Sequence, residues 1–308
     1  MPEFITVCGY DVRIEGRVLR TARLELDKYE FMDDPHDVIE GIRKCGYRVD
    51  LFNFLQRMPD QEGELLSAVP LYEYPMQWDN LAVLPLTTFD HWWNEQLRSV
   101  PRNRARQAAK KGIVIREAPF DDVLLQGIWE IYNECPVRQG MPFAHYGKDI
   151  ETVRRMSETF PERSIFIGAY LENSLIGFIK LVLNSQRTQA CIMHIVSMMK
   201  HREKAPTNAL IAQAVRSCAE RRIRCLVYQR FAYGKKEEDG LSHFKETNGF
   251  RQMNLPRYYV PLTGFGRLAL VLGLHRRFVD RFPKQVVTKV RELRTGWYNR
   301  KLHASEAP

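Results

Sequence analysis

Three apolar segments, SIFIGAYL, SLIGFIKLVLN and TQACIMHIVSMM, follow one another between residues 164 and 199. They dominate what this chain can fold into. Each is bounded by turn residues and is dense in Ile, Leu, Val and Phe, the pattern of strands buried in a sheet. The first two are separated only by Glu172 and Asn173, a connection that suits a hairpin. The chain is therefore expected to carry an antiparallel three-stranded core.

The flanking segments extend this reading. GIVIREAP after Gly112 is a short strand, and FDDVLLQGIWEIYNEC an amphipathic helix with Val123, Leu124, Ile128, Ile131 and Tyr132 on one face. A polar loop, PVRQGMPFAHYGKD, leads into the helix IETVRRMSETF. Beyond the third strand, Thr207 is placed to cap the helix NALIAQAVRSCAERR. The strand IRCLVYQ, the short helix GLSHFKETNGF and the extended RYYVPLT complete the series, with Leu241, Phe244 and Phe250 as its core residues. Strand, two helices, three antiparallel strands, helix, strand, helix, strand is an α+β order with a mixed sheet flanked by helices.

Residues 1–111 form a separate α/β unit in this reading. GRVLRTARLEL and YRVDLFNFL are strands around the helical PHDVIEGIRKCG, and LYEYPMQWDNLAVLPL is extended. Thr87 or Thr88 caps a helix that runs through FDHWWNEQL and RNRARQAAK and is interrupted near Pro101.

Charge narrows the partners. The net charge is +9, and from Thr263 onward ten basic residues face three acidic ones, so this tail holds seven of the nine. A second basic cluster lies in PRNRARQAAKKG. Charge concentrated in two segments points to an anionic partner rather than to general solubility. The six cysteines make no C-x-x-C, the eight histidines make no H-x-x-x-H, and no metal or redox cofactor is implied. The start lacks the pattern of a signal peptide, and no apolar run approaches the ~20 residues of a bilayer span. A cytoplasmic protein with reduced thiols is expected.

The stretches FKETNGF and RYYVPLT, with RNRARQAAKKGIVIRE before the first strand, resemble the FemAB-like branch of the GNAT acyltransferase superfamily. The element order over about 112–262 resembles the GNAT fold. That resemblance implies a transferase domain over 112–262 and a degenerate GNAT-like unit in 1–111; charge and periodicity add a basic amphipathic helical tail over 263–308. The resemblance implies transfer of an activated acyl or aminoacyl group to an amine, with a cell-envelope precursor as the acceptor class. Lys245, the lysine of the FK pattern, would stabilise developing negative charge; a solvated helix lysine is the ordinary alternative.

Other candidates follow from residue type and place. His194, in the apolar strand CIMHIVS, is a candidate general base or a hydrogen-bonded core residue. Tyr228, at the end of IRCLVYQ, could protonate a leaving group. Arg138, Gln139, His145 and Tyr146 in the loop between two helices, with Arg230 and Tyr233 in QRFAYGKKEEDG, are candidates for substrate binding. The family's pyrophosphate motif, R/Q-x-x-G-x-G/A, falls on Arg202 to Thr207. Arg202 and Thr207 are the cofactor-binding candidates, but Ala205 and Thr207 replace the glycines, and Pro206 offers no N–H. Weak coenzyme A binding is expected, so an acyl donor such as aminoacyl-tRNA is favoured over acyl-coenzyme A. A coenzyme A-dependent N-acetyltransferase is the alternative enzyme, and a non-catalytic tRNA- or membrane-binding scaffold the alternative class. In the tail, LALVLGL precedes a basic segment in which Val286, Val290, Leu293 and Trp297 share a helical face, a pattern suited to peripheral contact with an inner-membrane surface.

Overall fold

The computed structural model describes residues 2–25, 32, 34–56, 69–138, 141–184, 186–232 and 240–275. Gln139, Tyr233 and the tail from Arg276 lie outside these residues. In chain order the elements begin with β1 (Glu3–Val7), β2 (Tyr10–Glu15), β3 (Thr21–Leu24), α1 (His36–Lys44), β4 (Leu51–Leu55) and β5 (Met76–Pro85). Then come α2 (Phe89–His91), which widens into a π-turn over Trp92–Gln96, α3 (Ser99–Lys110), β6 (Val114–Ala118) and α4 (Asp122–Asn133). The short β7 (Val137–Arg138) and β8 (Met141–Pro142) precede α5 (Ile150–Ser157), β9 (Ser164–Leu171), β10 (Ser174–Leu183) and β11 (Gln189–Ser197). The series closes with α6 (Pro206–Glu220), β12 (Cys225–Val227), α7 (Gly240–Thr247), β13 (Arg251–Pro261) and α8 (Gly264–Val271).

These elements form two compact units. Among the described residues, the first takes those of 2–83, 227–245 and 250–275, and the second those of 84–226 and 246–249. Whereas the sequence reading divides the chain at 111 and 262, the helix α3 packs on α6 within the second unit, and β13 returns to the first.

In the first unit the strand order is β1-β2-β3-β4-β13-β5. All pairs are antiparallel except β3 with β4, which are parallel and connected through α1. The β1–β2 hairpin turns through Cys8 and Gly9 at φ +50° and +80°, the double positive φ of a two-residue turn. The core gathers Val12, Ile14, Leu24, Phe52, Phe54 and Tyr258. Tyr258 is buried whole, and its hydroxyl donates to Gln56 Oε1 at 2.7 Å while accepting from the Leu71 amide at 2.8 Å.

In the second unit the order is β12-β11-β10-β9-β6. The expected meander is present: β9, β10 and β11 pair antiparallel, and Glu172 and Asn173 take φ +50° and +66° at the hairpin. Almost every β10 residue is buried, because α4 and α6 both pack on this strand. Asp121 caps α4 by accepting from the Leu124 amide, and Thr88 caps α2 by accepting from that of His91.

Three local expectations are corrected. Val123 is exposed, since the buried face of α4 runs through Leu124, Leu125, Ile128, Ile131 and Tyr132. Thr207 does not cap α6; Ala205 does so at φ +55° with Pro206 in the first turn, because the preceding 3-10 turn over Met199–Lys204 delivers the chain in a left-handed residue. Leu241 and Phe244 are only half-buried, and α7 instead buries Ser242 and Lys245. Among the described residues, no helix is long and apolar enough to cross a membrane.

Candidate functional site

Six of the residues singled out by the sequence fall in two clusters, three in each unit. The first is built on β5. Asp79 is buried within this strand, and a buried carboxylate needs partners. Arg257 on β13 supplies Nη2 at 3.0 Å from Oδ2, and Arg230 supplies Nε at 3.0 Å from Oδ1. Burial alone would raise the Asp79 pKa; together the two guanidinium groups outweigh it and hold the carboxyl below its ordinary value. Arg257 also donates to Asn53 Oδ1 at 3.1 Å, tying β13 to β4.

The segment after β12 is strapped onto this network. Tyr228 N donates to Ala82 O and Ala82 N to Gln229 O, each at 2.8 Å. The Ala232 amide donates to Asn80 Oδ1, also at 2.8 Å. Gln229 takes φ +47°, a left-handed conformation uncommon for a side chain of its size. From the other side α7 grips the same backbone: Ser242 Oγ donates to Phe231 O at 3.1 Å, and Lys245 Nζ donates to Arg230 O. The Lys245 ammonium lies 4.7 Å from the centre of the Tyr228 ring. Lys245 is fully buried, so the solvated-lysine alternative is excluded. The structure thus brings Lys245, Tyr228 and Arg230 together, and adds Asp79 and Arg257. Their sequence signal was slight: a lone acid in MQWDNLAVLP and a lone base in LPRYYVP.

The second cluster lies where α4, β10 and β11 meet the loop after α4. Arg138 donates to Ser197 O at 2.7 Å and Ile131 O at 3.0 Å, and pairs with Glu134 at 3.3 Å. Glu134 accepts in turn from the amides of Met199 at 2.6 Å and Lys200 at 3.0 Å. This network fastens the loop to the end of β11. The His145 ring stacks on Tyr132 at 4.4 Å and meets His194 edge-on at 5.7 Å.

Both imidazoles are less basic than usual. Burial lowers His145, helped by the cations of Lys148 and Arg138. Burial also pulls His194 down to about 4, with His145 and Lys180 adding to the effect. At neutral pH His194 is an uncharged ring that suits hydrogen bonding better than proton abstraction from an ammonium.

Of the remaining candidates, Tyr146 and Arg202 are exposed, and Thr207 Oγ1 shares a hydrogen bond with Ser197 Oγ at 3.0 Å. At the start of α6 the Ala205 amide is committed to Arg202 O at 3.1 Å, and Pro206 has none to offer. A cavity of about 790 Å³ in the second unit, lined by Phe120, Ser157, Phe166 and Arg221 among others, holds none of the expected site residues.

The sequence reading overlooked Lys180 on β10. It is wholly buried and donates to Ser157 O at 2.8 Å, Thr159 O at 2.6 Å and Thr159 Oγ1 at 2.8 Å. Its only sequence signal was a single cation within GFIKLVL.

No protein-family model and no curated protein matches this chain. Solved structures do. A C-terminal domain from Agrobacterium fabrum bearing the name of lysylphosphatidylglycerol synthetase aligns with a TM-score of 0.56 at 12% identity, over 88% of this chain and 87% of that one. FemX aligns at 0.56 with 10% identity, over 83% and 87%. L-PGS from Bacillus licheniformis aligns at 0.55 with 12% identity, over 88% of each chain. At these identities the likeness is one of fold alone, an α+β arrangement with a mixed sheet flanked by helices, as the sequence leads one to expect.

Proposed function

We propose that this protein is an acyl or aminoacyl transferase in which Lys245 stabilises negative charge on the transferred group. The observation that carries the reading is the burial of the FK-pattern lysine against a tyrosine ring. Placing an ammonium away from water costs several kcal/mol. A cation held in such surroundings stabilises nearby negative charge far more than one in solvent. In the reaction the neutral amine of the acceptor attacks the carbonyl carbon of the activated donor. The C–N bond forms as the carbonyl electrons move onto oxygen, and Lys245 faces that oxyanion. Collapse of the intermediate breaks the bond to the leaving group; Tyr228 gives its proton to the leaving oxygen and takes the proton that the attacking amine releases. Arg230, and Tyr233 beyond the described residues, bind the anionic part of a substrate. Separately, the loop residues Arg138, Gln139, His145 and Tyr146 are assigned to substrate binding, with His194 as a neutral hydrogen-bonding ring.

The donor is an aminoacyl-tRNA or a similarly activated acyl group, and the acceptor an amine of a cell-envelope precursor. The start of α6 supports this choice over acyl-coenzyme A, since Ala205 and Pro206 leave little backbone N–H for a pyrophosphate. The test is transfer of labelled aminoacyl groups from a charged tRNA pool to amine-bearing envelope precursors. Wild-type protein should support transfer, and Lys245→Met should lose it with its circular dichroism unchanged. Full transfer by a folded Lys245→Met protein would overturn the reading.

A further inference from the structure

Helix α8 is built inside out. Its buried positions are the small residues Gly266 and Ala269, while Leu268, Val271 and Leu272 are 51%, 84% and 60% exposed. These three sit at i, i+3 and i+4, so they form one continuous outward stripe, and Leu274 just beyond is 43% exposed. A helix facing water ordinarily shows the reverse arrangement.

The helix cannot turn this stripe inward. Thr263 Oγ1 caps it by accepting from the Gly266 amide at 3.0 Å and donates to Asp50 Oδ1 at 2.8 Å. The Leu262 amide donates to Asp50 O at 2.9 Å. A Cβ on Gly266 would stand 2.0 Å from that same carbonyl oxygen, so only glycine allows this close seating and the helix is locked in rotation.

Charge selects the occupant. Arg267 is exposed on the helix, and the Arg48 guanidinium lies 5.7 Å from the centre of the Phe265 ring beside it. In sequence, the residues from Arg276 onward add nine further basic residues against three acidic ones. An apolar stripe beside cations matches an anionic lipid surface, where aliphatic side chains enter the headgroup boundary and the cations meet phosphate. We propose that α8 docks this protein on an anionic bilayer, with Leu268, Val271 and Leu272 as the inserted residues. This goes beyond the transferase reading and does not depend on it.

The experiment is co-sedimentation of the full-length protein with vesicles of phosphatidylcholine alone or in equal parts with phosphatidylglycerol, at low and high salt. Wild type should bind the anionic vesicles and release them as salt rises. The combined variant Leu268→Gln, Val271→Gln, Leu272→Gln should bind at least about tenfold more weakly, with an unchanged circular dichroism spectrum. Equal binding by the variant, or no anionic preference in wild type, overturns the proposal. A self-associating protein that the variant turns into a monomer in ultracentrifugation also overturns it, since the stripe would then be covered by a second copy.

Discussion

Among the described residues two lysines are entirely buried, one in each unit, and they are held in different ways. Lys180 projects from a central strand and spends its three N–H bonds on Ser157 O, Thr159 O and Thr159 Oγ1. These acceptors sit at and just beyond the end of α5, where helix carbonyls lack partners, so Lys180 is a C-terminal cap delivered from a neighbouring strand. Lys245 projects from a short helix onto the strapped segment after β12, beside the ring of Tyr228. The contrast teaches that burial does not by itself mark a working cation. What matters is whether the charge completes a structural element or stands beside groups suited to chemistry.

The largest effect that would sharpen or break this contrast is on transfer. Lys245→Met should lower the rate by about a hundredfold to a thousandfold, as loss of one preorganised charge-stabilising donor does elsewhere. Lys180→Met should leave the rate of the folded protein nearly unchanged. Parallel kinetics and thermal melts of both variants provide the check. Comparable losses of rate in the two would erase the distinction.

Stability should show the opposite order. Lys180→Met leaves two main-chain carbonyls and a hydroxyl without their donor, at a cost of about 2–4 kcal/mol. Urea denaturation measures it directly, and a variant as stable as wild type would remove the capping role. The pH dependence belongs to the same residue. Burial lowers the Lys180 pKa from 10.5 to about 8. Between these values the unfolded chain binds a proton that the folded chain has released, so this group makes the fold more stable as pH rises through the window. The gain amounts to about 3 kcal/mol at most, because the three acceptors favour the ammonium and work against burial. Comparing urea midpoints across that window should show the rise in wild type and its loss in Lys180→Met.

The same two residues show how far the sequence could be read. The strands of the second unit were legible because apolar runs and a two-residue turn are local signals, and β9 to β11 lie where those signals put them. The buried side of α7 was not legible. Apolarity favours Leu241 and Phe244, yet the carbonyls of Arg230 and Phe231 require donors, and Ser242 and Lys245 supply them from the buried face. Lys245 was found through its resemblance to a motif. Lys180 carried no such mark, since its acceptors lie some twenty residues earlier in the chain and meet it only after α5 and β10 have packed. Asp79 and Arg257 were missed for the same reason: each is a charge in a strand with no partner near it in sequence, until the other is seen 3.0 Å away.

The smallest effect is the most discriminating. Ser242 and Lys245 grip adjacent carbonyls, those of Phe231 and Arg230, so Ser242→Ala weakens the strap without touching the charge. It should cost about 1 kcal/mol of stability. If Lys245 acts on the transferred group, transfer by Ser242→Ala should fall by no more than about threefold, well under 1 kcal/mol in barrier. If Lys245 only holds the segment in place, both variants disturb the same backbone, and their rate losses should scale with their losses in stability. A plot of transfer rate against melting temperature for wild type, Ser242→Ala and Lys245→Met separates the cases. Three points on one line would make Lys245 a second structural lysine like Lys180; a Lys245→Met point far below the line would keep it at the chemistry.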